Sequence, residues 1–121
     1  MIRFALFGAA VFGLAGLAAP EAFAATPYDG YWSVVIATSR GACEPAYRSS
    51  VSISNGVVRG GDGVASVYGR VGRNGGVSVV VTSGVQSARG SGRLGRNSGA
   101  GVWTGQGSRG GCSGRWSAQR R

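Results

Sequence analysis

The sequence has no histidine and no lysine, only four carboxylates, and two cysteines in 121 residues. Each shortage removes a class of chemistry. Without histidine there is no His-based nucleophile, no imidazole metal ligand and no imidazole switch near neutral pH. The serines are plentiful, but neither histidine nor lysine is present to activate one. Two cysteines are too few for a four-thiolate zinc site or an iron–sulfur cluster. The carboxylates beyond residue 24 are Asp29, Glu44 and Asp62. All three read as turn or cap residues, and nothing places two of them in one cleft for acid–base work. Gly61-Asp62-Gly63 holds one acid, far short of a calcium site. The expectation is a non-enzyme with no metal and no cofactor.

Long apolar runs are confined to the start. Met1-Ile2-Arg3 is a short positive segment, and Phe4 to Ala19 is uncharged, apolar or small. Pro20-Glu21 breaks the run, and Ala22-Phe23-Ala24 places small residues two apart, the form a signal peptidase accepts. Residues 1–24 are therefore expected to be a signal peptide, cleaved after Ala24. The run is interrupted by Gly8, Gly13 and Gly16 and is short of the ~20 residues a membrane helix needs. Leu14-Ala15-Gly16-Leu17 lacks the cysteine that lipidation requires. No later segment spans a bilayer. The mature chain is expected to be secreted or periplasmic.

What remains, residues 25–121, keeps a charge of +9 and forms one domain. It has lost every phenylalanine and all leucines but Leu94. Its core must come from valine, Ile36, Ile53, three tryptophans and four tyrosines. Such a core is thin, and a covalent staple is of value. Cys43 and Cys112 are the only candidates, and an oxidising compartment favours one disulfide between them. It would close about 70 residues, worth roughly 4 kcal/mol in the chain-entropy model.

Glycine, serine and proline supply 38 of these 97 residues, a composition that raises disorder. Periodicity opposes it. Short runs alternate apolar or small residues with polar ones, and each run stops at a Gly or Asn cluster about ten residues on. Good helix formers are scarce, whereas fourteen valines favour pleated surface. Eight strands are expected: 30–38, 46–54, 57–60, 64–71, 77–82, 86–94, 100–106 and 112–119. Asn55-Gly56 is the preferred pair for a two-residue hairpin turn. Cys43 follows the first strand and Cys112 opens the last, so their bond fits first and last strands lying side by side and antiparallel. The fold class is thus all-β: a small up-and-down barrel of about eight strands, with a partly open barrel as the alternative. The many inward Gly and Ala predict a narrow interior filled by Trp and Val rather than a roomy ligand cavity.

Two echoes run through the chain. Gly69-Arg70-Val71-Gly72-Arg73-Asn74-Gly75-Gly76 recurs as Gly92-Arg93-Leu94-Gly95-Arg96-Asn97-Ser98-Gly99, which reads as repeated turn chemistry rather than a binding box. Gly-x-Trp occurs three times, at Trp32, Trp103 and Trp116. These are expected to be core aromatics, each ring lying over bare glycine backbone.

Alternation puts Arg48, Arg59, Arg70, Arg89, Arg93 and Arg115 opposite the apolar set, on an outer Arg/Ser wall. Such a wall can keep a Gly-rich sheet soluble. It can also bind polyanions, since guanidinium matches phosphate and carboxylate. No nucleic-acid motif is present, and Arg109-Gly110-Gly111 alone does not make one.

The residues Tyr28-Asp29-Gly30-Tyr31-Trp32-Ser33-Val34, Arg40-Gly41-Ala42-Cys43, Ala46-Tyr47-Arg48, Asn55-Gly56 and Cys112-Ser113-Gly114-Arg115-Trp116-Ser117-Ala118 resemble a family of small secreted, Gly-rich, two-cysteine alphaproteobacterial proteins. That resemblance implies no activity. More loosely, the chain resembles calycin-type barrels (lipocalins, avidins and small bacterial inhibitors), which open with Gly-x-Trp and carry an arginine on a late strand. Gly30, Trp32 and Arg115 match that pattern.

Three expectations follow. The first is a binding module whose outer wall meets an anionic polysaccharide or lipopolysaccharide through Arg70, Arg89, Arg93 and Arg115. The second is an inhibitor of an exported protease or lysozyme, acting through a loop or the arm Ala25 to Asp29. The third is a calycin-like carrier of a small ligand.

Overall fold

The computed structural model describes residues 25–61 and 65–121. The expected signal peptide, and Asp62 with its turn, lie outside the described residues. The described residues form eight antiparallel strands, β1 (Gly30–Arg40), β2 (Ala46–Ser54), β3 (Val57–Gly61), β4 (Ser66–Val71), β5 (Gly76–Ser83), β6 (Gln86–Leu94), β7 (Ser98–Gly107) and β8 (Gly110–Arg120). Each pairs with its neighbour in sequence, and β8 pairs with β1, closing the barrel. Closure leaves no sheet edge without a neighbouring strand.

Local chemistry sets the register. Asn55 and Gly56 both adopt positive φ, 53° and 80°, as the tight β2–β3 hairpin requires. Along every strand the residues sort by parity. The inward set is Trp32, Val34 and Ile36 on β1, the odd-numbered valines on β4 and β5, and Cys112, Gly114, Trp116 and Ala118 on β8. The outward set carries serine and arginine.

The disulfide clasps the seam. Cys43, in the loop after β1, bonds Cys112 on β8 with their Cα atoms 6.1 Å apart. The β1–β8 ladder beside it runs from Trp32↔Arg120 to Arg40↔Ser113, with a bulge near its end.

The stagger explains the barrel's bore. From Trp32 the ladder partners run Val51, Gly60, Val67, Val81, Ala88, Gly105 and Cys112. The row returns to β1 near Arg40, a shear of about eight residues for eight strands. Barrels of that narrow class are normally packed solid by inward side chains.

The two ends of this barrel differ. Trp32, Ile53, Val58, Val71, Val77, Leu94 and Ala118 are buried together and belong to the end where β1 begins. Val34, Val51, Val67, Val79 and Trp116 are only partly buried and stack on that layer toward the other end. The core is thus a plug at one end, and the disulfide sits at the opposite end.

Candidate functional site

The plug is built from the N-terminal arm. Residues 26–29 make a turn in which the Asp29 N–H donates to the Thr26 carbonyl at 3.2 Å. The Asp29 carboxylate accepts the Thr26 hydroxyl at 2.7 Å and the backbone N–H groups of Asn55 and Gly56 at 2.7 and 3.1 Å. Burial alone would raise the Asp29 pKa, but these hydrogen bonds outweigh it and hold the carboxyl below its ordinary value. The arm is therefore stapled across the β2–β3 turn. Trp32 donates its indole N–H to the Tyr28 carbonyl at 2.9 Å, and its ring is 1% exposed.

Arg120 locks this assembly. Its Nε donates to the Arg96 carbonyl at 2.9 Å, one Nη to the Asp29 carbonyl at 2.7 Å and the other to the Pro27 carbonyl at 2.6 Å. Its guanidinium lies 4.8 Å from the centroid of Trp32. Gly30, at φ +135°, makes room for it, since a Cβ there would stand 2.9 Å from the Arg120 Nη1. The late-strand arginine over Trp32 is thus Arg120. Arg115, on the same strand, is exposed on the outer face between Ala37 and Val102. Parity carried the signal: Cys112, Gly114, Trp116, Ala118 and Arg120 share one face.

Above the plug the barrel is hollow. A cavity of about 210 Å³ runs up the lumen, walled by Val34, Ile36, Val51, Val79, Trp103 and Trp116 among others. This corrects the expectation of a filled interior, and the reason is where the large rings go. Trp116 on β8 stands opposite Gly101 on β7, and Trp103 on β7 opposite Gly114 on β8. Each Gly-x-Trp thus presents its glycine to the other strand's indole. A Cβ on Gly101 would lie 2.6 Å from the Trp116 Nε1, and one on Gly92 2.7 Å from its Cζ2. Trp116 therefore lies flat along the wall and donates to the Ser91 carbonyl at 3.1 Å. Trp103 reaches over Gly114 and donates to the Ala37 carbonyl at 3.1 Å. Only Trp32 of the three is a buried core residue. Trp103 and Trp116 are half-buried and line the lumen.

All three indole N–H groups are thus bonded to backbone carbonyls, so the lumen meets ring carbon and aliphatic surface. Toward the disulfide end the cavity shares Val81, Ala88 and Trp103 with a second hollow of about 140 Å³, whose rim adds Cys43, Ser83, Gln86, Ser87 and Gln106. The lumen therefore continues into a vestibule beside the disulfide, with polar side chains at its rim.

The outer arginines are spread around the girth. Arg89 and Arg93 share β6. Arg70 and Arg115 are joined through Ser91 by the row Arg70–Ser78–Ser91–Val102–Arg115, which climbs toward the disulfide end as it crosses the tilted strands. Arg70 is on β4 and Arg115 on β8, four strands apart in a ring of eight, so they point from opposite sides. Asp29 lies at the plugged end and Glu44 in the loop at the disulfide end, which keeps these two carboxylates out of any common cleft. Among the described residues, no three side chains of metal-ligating type come together.

Comparison with family models, with curated proteins and with solved structures finds no match. The functional reading rests on the geometry.

Proposed function

We propose that the mature protein is an exported, non-enzymatic binding module that holds one small, uncharged, apolar molecule in its barrel. The carrying observation is the cavity of about 210 Å³ above a sealed plug, with every indole N–H that borders it already bonded. A charged or strongly polar ligand would find no partner there and would pay its full desolvation cost. An apolar cavity of about 150 Å³ stays dry and accepts a benzene-sized guest, so this one suits a guest of about ten heavy atoms. The leader-like residues 1–24 and the disulfide support export. The arm does not favour the inhibitor reading, because residues 26–29 are docked on the barrel rather than presented to a partner.

Calorimetric titration of the oxidised mature protein with naphthalene and with medium-chain alcohols tests this. One-to-one binding with a negative heat-capacity change is expected. Ala88→Trp, at the throat of the lumen, should abolish it, and Arg115→Gln, on the outer wall, should leave it intact. Absence of binding to the wild type, or unchanged binding to Ala88→Trp, would refute the reading.

A further inference from the structure

The echoed eight-residue segments are the part of the sequence that the lumen does not use. Both run from a strand end into a turn at the plugged end, and the fold brings the turns side by side. The Leu94 N–H donates to the Gly75 carbonyl at 2.8 Å, and Arg93 donates to the Asn74 carbonyl at 3.1 Å. Arg73 and Arg96 therefore stand on neighbouring turn tips, both exposed. Neither guanidinium hydrogen-bonds to another described residue. Arg70 and Arg93 are exposed on the adjoining strand ends. Arg120 adds its charge from within the clamp, whereas the Arg121 guanidinium turns down the outer wall and donates to the Ser50 hydroxyl at 3.2 Å.

Five of the twelve arginines beyond residue 24 (Arg70, Arg73, Arg93, Arg96 and Arg120) thus carry their charge at one end of the barrel. The only described acidic side chain there is Asp29, whose oxygens are already occupied by Thr26, Asn55 and Gly56. The disulfide end has Arg40 and Arg109 against Glu44. The molecule is therefore a cylinder with one strongly positive end. Tyr31, 68% exposed, stands on the same rim, an amphipathic ring of the kind that sits at a headgroup layer.

We propose that the plugged end is a docking face for the phosphate-bearing headgroups of an anionic lipid surface. Guanidinium is the side chain that meets phosphate through a planar fork. The exposed guanidinium groups sit on two turn tips and two strand ends, around the end of a cylinder. A planar array of phosphates reaches all of them at once, whereas a single polymer strand lying across the end meets only part of the set. Docked this way, the vestibule faces away from the surface, so the face works whatever the lumen holds.

Co-sedimentation of the oxidised mature protein with vesicles of phosphatidylcholine alone, or containing phosphatidylglycerol, tests the proposal. Binding should require phosphatidylglycerol and fall steeply with salt. The double variant Arg73→Gln/Arg96→Gln should bind about thirtyfold more weakly, at about fivefold for each arginine near an anionic surface. Arg89→Gln/Arg115→Gln removes the same charge from the mid-barrel wall and should lose less than about threefold by the same reasoning. In the wild type, vesicles should protect Arg73 and Arg96 from phenylglyoxal while Arg89 and Arg115 still react. Equal losses in the two double variants would show that net charge alone acts, and would overturn the face. Binding to neutral vesicles, or to dextran sulfate in preference to vesicles, would overturn the lipid assignment. The naphthalene titration reads the lumen separately, so either proposal can fail alone.

Discussion

Replacing Arg120 should cost more than replacing any other arginine in the barrel. Arg120→Met keeps the aliphatic stem over Trp32 and removes the fork. Three hydrogen bonds go with it, and they are not equal. The bond to the Asp29 carbonyl is partly buried, whereas those to Pro27 and Arg96 are exposed, so water can replace the latter two. Hydrogen bonds to a charged group are worth about 1.5–3 kcal/mol, and ordinary ones about 0.5–1.5 kcal/mol. The low end of each range gives about 1.5 kcal/mol for the first bond and about 1 kcal/mol for the other two together. Loss of the cation–π contact with Trp32, 4.8 Å away, adds about 1 kcal/mol. Sulfur packing on the ring returns about 0.5 kcal/mol. The net is about 3 kcal/mol, or about 15 °C in melting temperature for a domain of this size. Thermal unfolding followed by circular dichroism, with the disulfide intact, measures it. Arg120→Lys, which keeps the charge but has no fork, should fall between. Arg115→Met should melt within about 2 °C of the wild type, as exposed positions do. A loss below about 1 kcal/mol in Arg120→Met, or an equal loss in Arg115→Met, would refute the clamp.

Gly101→Ala should destabilise by about 2 kcal/mol or more, because its Cβ would lie 2.0 Å from the Ser91 carbonyl oxygen and 2.6 Å from the Trp116 Nε1; near-ultraviolet dichroism should lose the Trp116 signal, and a neutral result would place that ring elsewhere. Removing the disulfide with Cys43→Ala/Cys112→Ala, which opens a link across 69 residues, should cost about 4 kcal/mol in urea unfolding. Asp29 is held below its ordinary pKa, so its stabilisation is fully present above about pH 4 and is lost as the pH falls through the lowered folded value. Asp29→Asn should be less stable at pH 7 and should approach the wild type in acid; a constant difference from pH 7 to pH 2 would remove the carboxylate from the account.

The architecture was legible because strand parity and turn chemistry are local. Asn55-Gly56 fixed one hairpin, and the alternation around Trp32, Val67, Val79 and Trp116 sorted lumen from solvent. The seam followed from Cys43 and Cys112, since a bond between the end of one strand and the start of another leaves few arrangements. What stayed hidden depends on partners across strands. A Gly-x-Trp says that a ring lies over bare backbone, but not whose backbone. Here Gly101 serves Trp116 and Gly114 serves Trp103, which turns a core motif into the wall of a cavity. Nothing in the sequence singled out Arg120, although its parity matches Ala118 and Trp116. The likeness between Arg73 and Arg96 was visible as turn chemistry, but their adjacency needed the Leu94–Gly75 bond.

The affinity of the lumen follows from its size and dryness. A narrow barrel is hollow here because glycine lines the inner face where its rings lie flat, so the free protein gives up dispersion contacts along every aliphatic wall. A guest restores them and displaces no well-bonded water, because a cavity without polar groups does not order any. About ten heavy atoms at about −0.6 to −0.7 kcal/mol each, between the ceiling for tiny ligands and the value for drug-sized ones, give about −6 to −7 kcal/mol. That corresponds to a Kd on the order of 10 µM. The rim of Ser83, Gln86, Ser87 and Gln106 can add one or two hydrogen bonds to a polar group carried at the guest's outer end, about tenfold at most in so exposed a place. An alcohol should therefore bind somewhat more tightly than a hydrocarbon of equal length, and the gain should vanish in Ser83→Ala/Gln86→Ala. If the hydrocarbon bound in the nanomolar range, the lumen would have to be larger or more enclosed than a shear of about eight and a volume of about 210 Å³ allow, and the calculation would fail at its first step.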